Sequence, residues 1–361
     1  FTAKFIGTPN NGDITVLLVA GKWNFIGNPY PSSLDAEEFI NQNGDVGALY
    51  FWSHNTPPKK IEGTNTYRYS SSDYAVFSLM GETKASPKGN VPSGYIGTGQ
   101  GFFIQPKVSS VVFTNTQRVK AKNTSFFKTT SKTSQIEKNR LWLNLSNNDN
   151  AFNQMLIGYA TGATNSLDHN YDAVTMGSNS YVDFFSVNET KKLTIQGRAL
   201  PFDDTDTVPL GYKSTFVGDL TISIDHADGF FTTQPVYLED KITGTITNLR
   251  TSNYTFKASV GTYLNRFVLR YTNKTLGSDD FENAKDGVLV AVKSKVVNIS
   301  SGAENIQEVQ IYNIGGQMLY NKTKVDTKEL EIKNLYSGNQ VLLVKVILEN
   351  NSVVTKKIIY N

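Results

Sequence analysis

Apolar residues in this chain come in short runs of strand length, each cut off by turn-forming residues. Runs at 14–20, 23–26, 48–52, 74–79, 101–105 and 110–113 are separated by Gly, Pro and Asn, as in Gly27-Asn-Pro, Pro57-Pro58 and Pro92-Ser-Gly. Further runs follow at 140–145, 154–159, 180–187, 191–196, 220–224, 236–239, 244–249, 254–258 and 267–271. Short alternating or continuous apolar runs between turn clusters are the pattern of β-strands, and a long series of them is that of sandwiches and jelly rolls. The chain is therefore expected to be all-β, with tandem β-sandwich or jelly-roll-like modules. One short helix is expected, with Ser33 as its N-cap, residues 34–40 as its body and Glu37 and Glu38 near the positive end of its dipole.

The composition removes several function classes. There is no cysteine among the 361 residues, which excludes disulfides, zinc-thiolate sites, iron–sulfur clusters and a Cys nucleophile. The 35 basic and 32 acidic residues leave a net charge of only +3, and the basic ones are scattered. The pairs Lys59-Lys60, Lys191-Lys192 and Lys356-Lys357 read as solvated strand edges or turns, so no nucleic-acid footprint is expected. No apolar run approaches the roughly 18 residues of a transmembrane helix; the nearest, Ile14-Thr-Val-Leu-Leu-Val-Ala, has strand length.

Composition shifts divide the chain. Residues 1–120 form a first β-rich module, 121–139 a polar linker, 140–275 a β-sandwich module, 276–286 an acidic, turn-rich boundary and candidate cleavage site, and 287–361 a last small domain. A double Phe recurs at 102–103, 126–127, 184–185 and 230–231. Adjacent strand residues point to opposite faces, so each pair should lie between two packed layers or expose one ring.

Catalytic constellations are sparse. The histidines are His54, His169 and His226, and no Gly-x-Ser-x-Gly elbow accompanies them. Gly97-Thr-Gly-Gln-Gly lacks the Lys and helix of a phosphate loop and reads as a tight turn into a buried strand. Asp168-His-Asn-Tyr-Asp172 opens like a calcium loop but has Ala173 at its sixth position and Asn179 at its twelfth. Asp203-Asp-Thr-Asp206 is a second acidic cluster, and such turns are commonly hydrated or Asx-capped. No cofactor and no metal is expected, and the chain is read as non-enzymatic.

The last quarter holds Val309-Gln-Ile-Tyr-Asn-Ile-Gly-Gly-Gln-Met-Leu, then Leu335-Tyr-Ser-Gly-Asn-Gln-Val-Leu-Leu-Val-Lys-Val, then Val353-Val-Thr-Lys-Lys-Ile-Ile-Tyr-Asn. In this order the motifs resemble the type A C-terminal sorting domain of the Bacteroidota type IX secretion system, with Gly338-Asn339-Gln340 standing where that family has Gly-x-Tyr. The resemblance covers roughly residues 281–361. It implies a small Ig-like, seven-stranded β-sandwich that carries an export address. The partners would be the type IX translocon and its shuttle protein, reached through residues 287–361. Recognition would fall on Tyr312, Asn313, Gly315, Gly316, Gln317, Gly338, Lys356 and Lys357. Gly315 and Gly316 are expected at a turn with positive φ, and residues 353–360 at a sheet edge with at least one lysine in solvent.

Residues 1–120 resemble a module found just before such domains in Bacteroidota surface proteins, through Trp23-Asn-Phe-Ile-Gly-Asn-Pro-Tyr-Pro-Ser, Leu49-Tyr-Phe-Trp-Ser-His and Pro92-Ser-Gly-Tyr-Ile-Gly-Thr-Gly-Gln-Gly-Phe-Phe-Ile. Asp206-Thr207-Val208 resembles the site these bacteria O-glycosylate, which would place a glycan on Thr207. The resemblance implies an adhesin-like protein delivered across the outer membrane to the cell surface or medium, as the C-terminal part of a precursor with a signal peptide. A glycan or surface ligand would bind residues 1–275. The alternative is a carbohydrate-binding accessory region of a secreted polysaccharide-degrading enzyme, with Trp52, Trp142 and Tyr181 exposed to stack on sugar rings.

Overall fold

The computed structural model describes residues 6–53, 59–60, 67–68, 73–120, 137–149, 151–177, 181–273, 288–293, 295–302, 304–333, 335, 337–338 and 340–360. Strands take up 54% of the described residues and helix 5%, so the fold is all-β. Two compact units are formed, Phe1–Asn273 and Lys274–Asn361. Most of the linker expected at 121–139 and the whole boundary at 276–286 lie outside the described residues. Lys138 and Asn139 already belong to a strand, paired with Ala160 and Tyr159.

The first unit begins with a five-stranded sheet in the order Asn24–Gly27, Gly101–Ile104, Leu49–Trp52, Tyr74–Phe77, Glu82–Thr83. Strand alternation sends Leu49, Phe51, Phe102 and Ile104 into one core with Phe39 and Ile40 of the helix Ala36–Gln42. That helix starts two residues later than expected. Ser33 is held in the strand Ser33–Asp35 by pairing with Arg118–Val119 and Tyr95–Ile96. The cap is Asp35, whose carboxylate accepts from the amides of Glu37 (3.1 Å) and Glu38 (3.2 Å).

The sandwich follows as one large sheet folded on itself. Its central strands run in the order Gly261–Arg270, Thr207–Ser214, Val182–Asn188, Lys191–Ala199, Phe152–Ala160, Lys138–Ser146, Gly218–Ala227. Alternate residues Leu141, Leu143, Met155, Ile157, Val208, Leu210, Phe267 and Leu269 fill the interior. The opposite faces of the same strands carry Trp142, Leu156, Ala160 and Ile195, which pack with Tyr50, Val76 and Met80 of the five-stranded sheet. The two modules thus share a core. Each large apolar side chain buried there contributes about 1.5–3 kcal/mol.

The double-Phe expectation is met in the strands and not in the turn. Phe102 and Phe184 enter the two module cores, while Phe103 packs on the shared layer. Phe185 is buried on the other face of its strand beneath Lys192. Phe230 and Phe231 sit instead on the short 3₁₀ turn Gly229–Thr232, where both rings join Phe202 and Tyr159 and Phe231 also meets Tyr271. Residues 126–127 lie outside the described residues.

The second unit shows seven strands among its described residues. Val288–Lys293, Val296–Ser301 and Glu329–Ile332 form one sheet. Met318–Thr327, Ile306–Asn313, Gln340–Leu348 and Val353–Tyr360 form the other, in that order. Val297, Ile299, Leu330 and Ile332 from the first face Val309, Ile311, Leu342, Val344, Val346 and Ile358 from the second in a single core. This is a small two-layer β-sandwich.

Candidate functional site

The four-stranded sheet of the second unit turns one face to solvent, and its registers gather most of the residues singled out from sequence. Met318, Tyr312, Leu343 and Lys357 stand side by side across the four strands. Neighbouring strands are roughly 4.8 Å apart, so this row spans roughly 14 Å. Ile359 and Val341 form the next row toward one end of the sheet, and Thr355, Lys345, Gln310 and Asn321 the next toward the other. Ile359 is 69% exposed, Met318 47% and Leu343 37%. These residues form an apolar stripe on the exposed sheet face, bordered by Lys357 and Lys345.

The two lysines part company. Lys357 is exposed on the outer face, whereas Lys356 is half-buried on the side of Val354, Ile358 and Tyr360. Ile359 is outward with Lys357, because packing Ile358 inward fixes its neighbour outward. Val353–Tyr360 is an edge strand, as expected, and pairs with Gln340–Leu348 without a register shift. The opposite edge differs. Met318–Thr327 loses register between Thr323 and Thr327, where Lys324 and Asp326 take φ of 56° and 53°. Such a bulge spoils an edge for strand addition.

The turn at 313–317 is built by its own side chains. The Asn313 Oδ1 accepts from the Gln317 amide (3.0 Å) and its Nδ2 donates to Gln317 Oε1 (3.1 Å). The Gly316 amide donates to the Asn313 carbonyl (3.0 Å), at a φ of 80°. Gly315 does not share that conformation; one left-handed residue suffices to close this turn. Gly338 is exposed just before Gln340, which pairs with Tyr360, and so lies at the same end of the sheet. Sequence reasoning missed the Tyr360 hydroxyl. It lies 3.0 Å from the carbonyls of both Lys295 and Leu335, a buried polar tie for the last strand. A Tyr in an apolar alternation is the signal that could have shown it.

In the first unit, Trp142 is only 2% exposed, which corrects its expected role as a sugar-stacking ring. It is covered by the His226 imidazole, stacked at 3.9 Å, and donates its Nε1–H to the Glu82 carbonyl (2.7 Å). A β-bulge sets this up. Trp142 pairs with His226 and Leu143 with Ile224, leaving Asp225 as the extra residue. The bulge brings the Asp225 carboxylate onto His226 Nδ1 (2.7 Å), Lys84 Nζ (2.9 Å) and Asn144 Nδ2 (2.9 Å). Burial alone would raise the Asp225 carboxyl, but these bonds outweigh it and hold it at about 2. No residue pattern announces a bulge, so this cluster was not legible. Trp52 is 43% exposed, Tyr181 is half-buried, and His54 lies outside the described residues.

The acidic clusters are occupied from within. Asp172 is buried, and its two oxygens accept from the amides of Gly197 and Asp168, each at 2.8 Å. Burial pushes its carboxyl up to about 7, against those two donors. Asp206 is forked by Arg198 (2.6 Å to each oxygen) and takes the Tyr159 hydroxyl (2.6 Å). Asp203 accepts from both the amide and hydroxyl of Thr205. Among the described residues no three His, Asp or Glu side chains gather as a metal site would require. Thr207 is exposed at the start of its strand.

These features define an all-β protein with a two-module first unit and a separate small sandwich. The sequence model of the family described as Domain of unknown function (DUF8693) matches residues 1–271, and the chain belongs to that family. Domain of unknown function (DUF8694) matches residues 276–360. No curated relative matches the chain. Among solved structures, Tp47, the 47-kilodalton lipoprotein of Treponema pallidum, is similar at 9% identity over 96% of this chain and 91% of that one. The TM-score of that match is 0.18.

Proposed function

We propose that the second unit is an export address read by a protein partner, and that the first unit is the non-catalytic, adhesin-like surface module it accompanies. The observation that carries this reading is the outer face of the four-stranded sheet. It sets Tyr312, the 313–317 turn and Lys357 around an exposed apolar stripe, on a sandwich with its own core. The partner class is the type IX translocon with its shuttle protein, and the destination is the cell surface or medium. Two arms test this. Deleting residues 287–361 should hold the protein in the periplasm, and unchanged surface display would refute the address. Lys357→Glu with Leu343→Gln should leave the circular dichroism spectrum and melting intact while export falls. Normal export of that folded variant would refute this face as the recognised one.

A second reading, a carbohydrate-binding region, is favoured by one observation. Trp23 and Phe25 are 38% and 67% exposed beside Tyr50 and Phe103 on one face of the five-stranded sheet. Open ring faces stack on the apolar faces of sugars. Trp23→Ala with Phe25→Ala should then abolish retention on insoluble polysaccharides; retention equal to the unaltered protein would eliminate it.

A further inference from the structure

Segment 161–172 links the strands Phe152–Ala160 and Ala173–Val174 of the sandwich, yet it also grips the first module. Asn170 accepts from the Gly47 amide (3.1 Å) and donates to the Gly44 carbonyl (2.7 Å). Its own carbonyl takes the Leu79 amide (2.9 Å), and the Tyr171 carbonyl takes the Ser78 hydroxyl (2.8 Å). On the sandwich side, Asp172 takes the Gly197 amide and closes the segment on Asp168.

Between these grips sits His169. Its Nε2 is buried without a hydrogen-bond partner. The ring fits only because residue 47 is Gly: a Cβ there would stand 2.7 Å from Nε2, and the φ of 81° disfavours any other residue. The ring lies near the Gln105 backbone and faces Lys107 and Asp45 of the first module. Asp168 and Asp172 belong to its own segment, with Arg198 beyond Asp172 and Glu37 beside Tyr171. A neutral imidazole leaves one lone pair unmatched there. An imidazolium would bury an N–H and a charge with no acceptor, close to a lysine.

We propose that segment 161–172 is an acid-released clasp, in which protonation of His169 frees it from residues 44–47 and 78–79 while Asp172 retains it on the sandwich. The sign follows from burial. Desolvation first, and Lys107 second, hold His169 below its ordinary 6.5, against smaller opposite effects of Asp45 and Gln105. The opened segment therefore binds a proton that the closed one refuses. The closed state loses stability as pH falls below 6.5, until the depressed value is passed. Asp172 acts the other way, since acid keeps it neutral in its buried seat. The inference is independent of the export reading.

Hydrogen exchange on the full chain tests it. After correction for intrinsic rates, protection at the Gly47 and Leu79 amides should drop about tenfold per pH unit within that window. The Gly197 amide, bonded to Asp172, should stay protected. His169→Gln should make the Gly47 and Leu79 profiles flat. Equal wild-type protection at about pH 7.5 and pH 5, or a loss shared equally by Gly197, overturns the clasp, as does an unchanged acid loss in His169→Gln. The wild-type contrast between these amides decides the matter even if the variant does not fold.

Discussion

Replacing Arg266 by Met should destabilise the first unit by about 3–5 kcal/mol, the cost of leaving a buried carboxylate without its partner. Asp240 has no exposed side-chain surface, and Arg266 only 9%. The guanidinium donates to Asp240 through Nη2 (2.8 Å) and Nε (3.1 Å), and the Tyr254 hydroxyl adds a third bond (2.8 Å). The cation also lies over the Phe256 ring at 4.3 Å. Burial alone would raise the Asp240 carboxyl, but Arg266 and Tyr254 outweigh it and hold it below its ordinary range. That contribution is present above the unfolded 3.8 and is lost as pH falls through the folded value. Urea unfolding read by tryptophan fluorescence is the measurement. It reports on this unit because all three tryptophans, Trp23, Trp52 and Trp142, lie within it. A loss below about 1 kcal/mol would place the pair in the class of weak surface bridges. Arg266→Met with Asp240→Leu should recover most of the stability, since an apolar pair needs no compensation.

Asp172 should make the first unit less stable as pH rises from acid to neutral. Its carboxyl titrates at about 7 in the fold against an ordinary 3.8 in the unfolded chain. Below 3.8 both states hold the proton and nothing is gained or lost. Between the two values the unfolded chain ionises while the folded one stays neutral, so stability falls by about 1.4 kcal/mol per pH unit. The total is about 4 kcal/mol at neutral pH and above. Asp172→Asn cannot titrate. It exchanges one amide acceptor for a donor, a constant cost, so the difference between the two proteins should slope with pH only across this window. His169 is present in both and cancels in the difference. Parallel stability curves from pH 4 to 8 would contradict the assigned burial.

Some of this was legible because alternation is local. In Val353–Tyr360 the division into two faces, Val354, Ile358 and Tyr360 on one and Thr355, Lys357 and Ile359 on the other, can be read directly. The lysine pair could be split between faces but not assigned, since alternation does not say which face meets a core. Lys138–Ser146 and Phe152–Ala160 carry a further local signal. Leu141-Trp-Leu and Met155-Leu-Ile are apolar on both faces, the mark of a sheet covered on both sides. A strand apolar on both faces needs a second covering layer, which Tyr50, Val76 and Met80 supply over Trp142 and Leu156.

The sequence by itself determined the all-β class, the turns that punctuate it and the two-faced alternation of its strands, because side-chain period and turn chemistry are properties of neighbouring residues. Only the tertiary structure decided what meets across distance. The bulge at Asp225 places that carboxylate against Lys84, 141 positions away in the chain. Gly47 opens a seat for His169, and Asp240 finds Arg266 across paired strands. Whether a charged or polar group is a solvated ornament or a buried, partnered one depends on which distant backbone excludes water from it, and no local pattern carries that information.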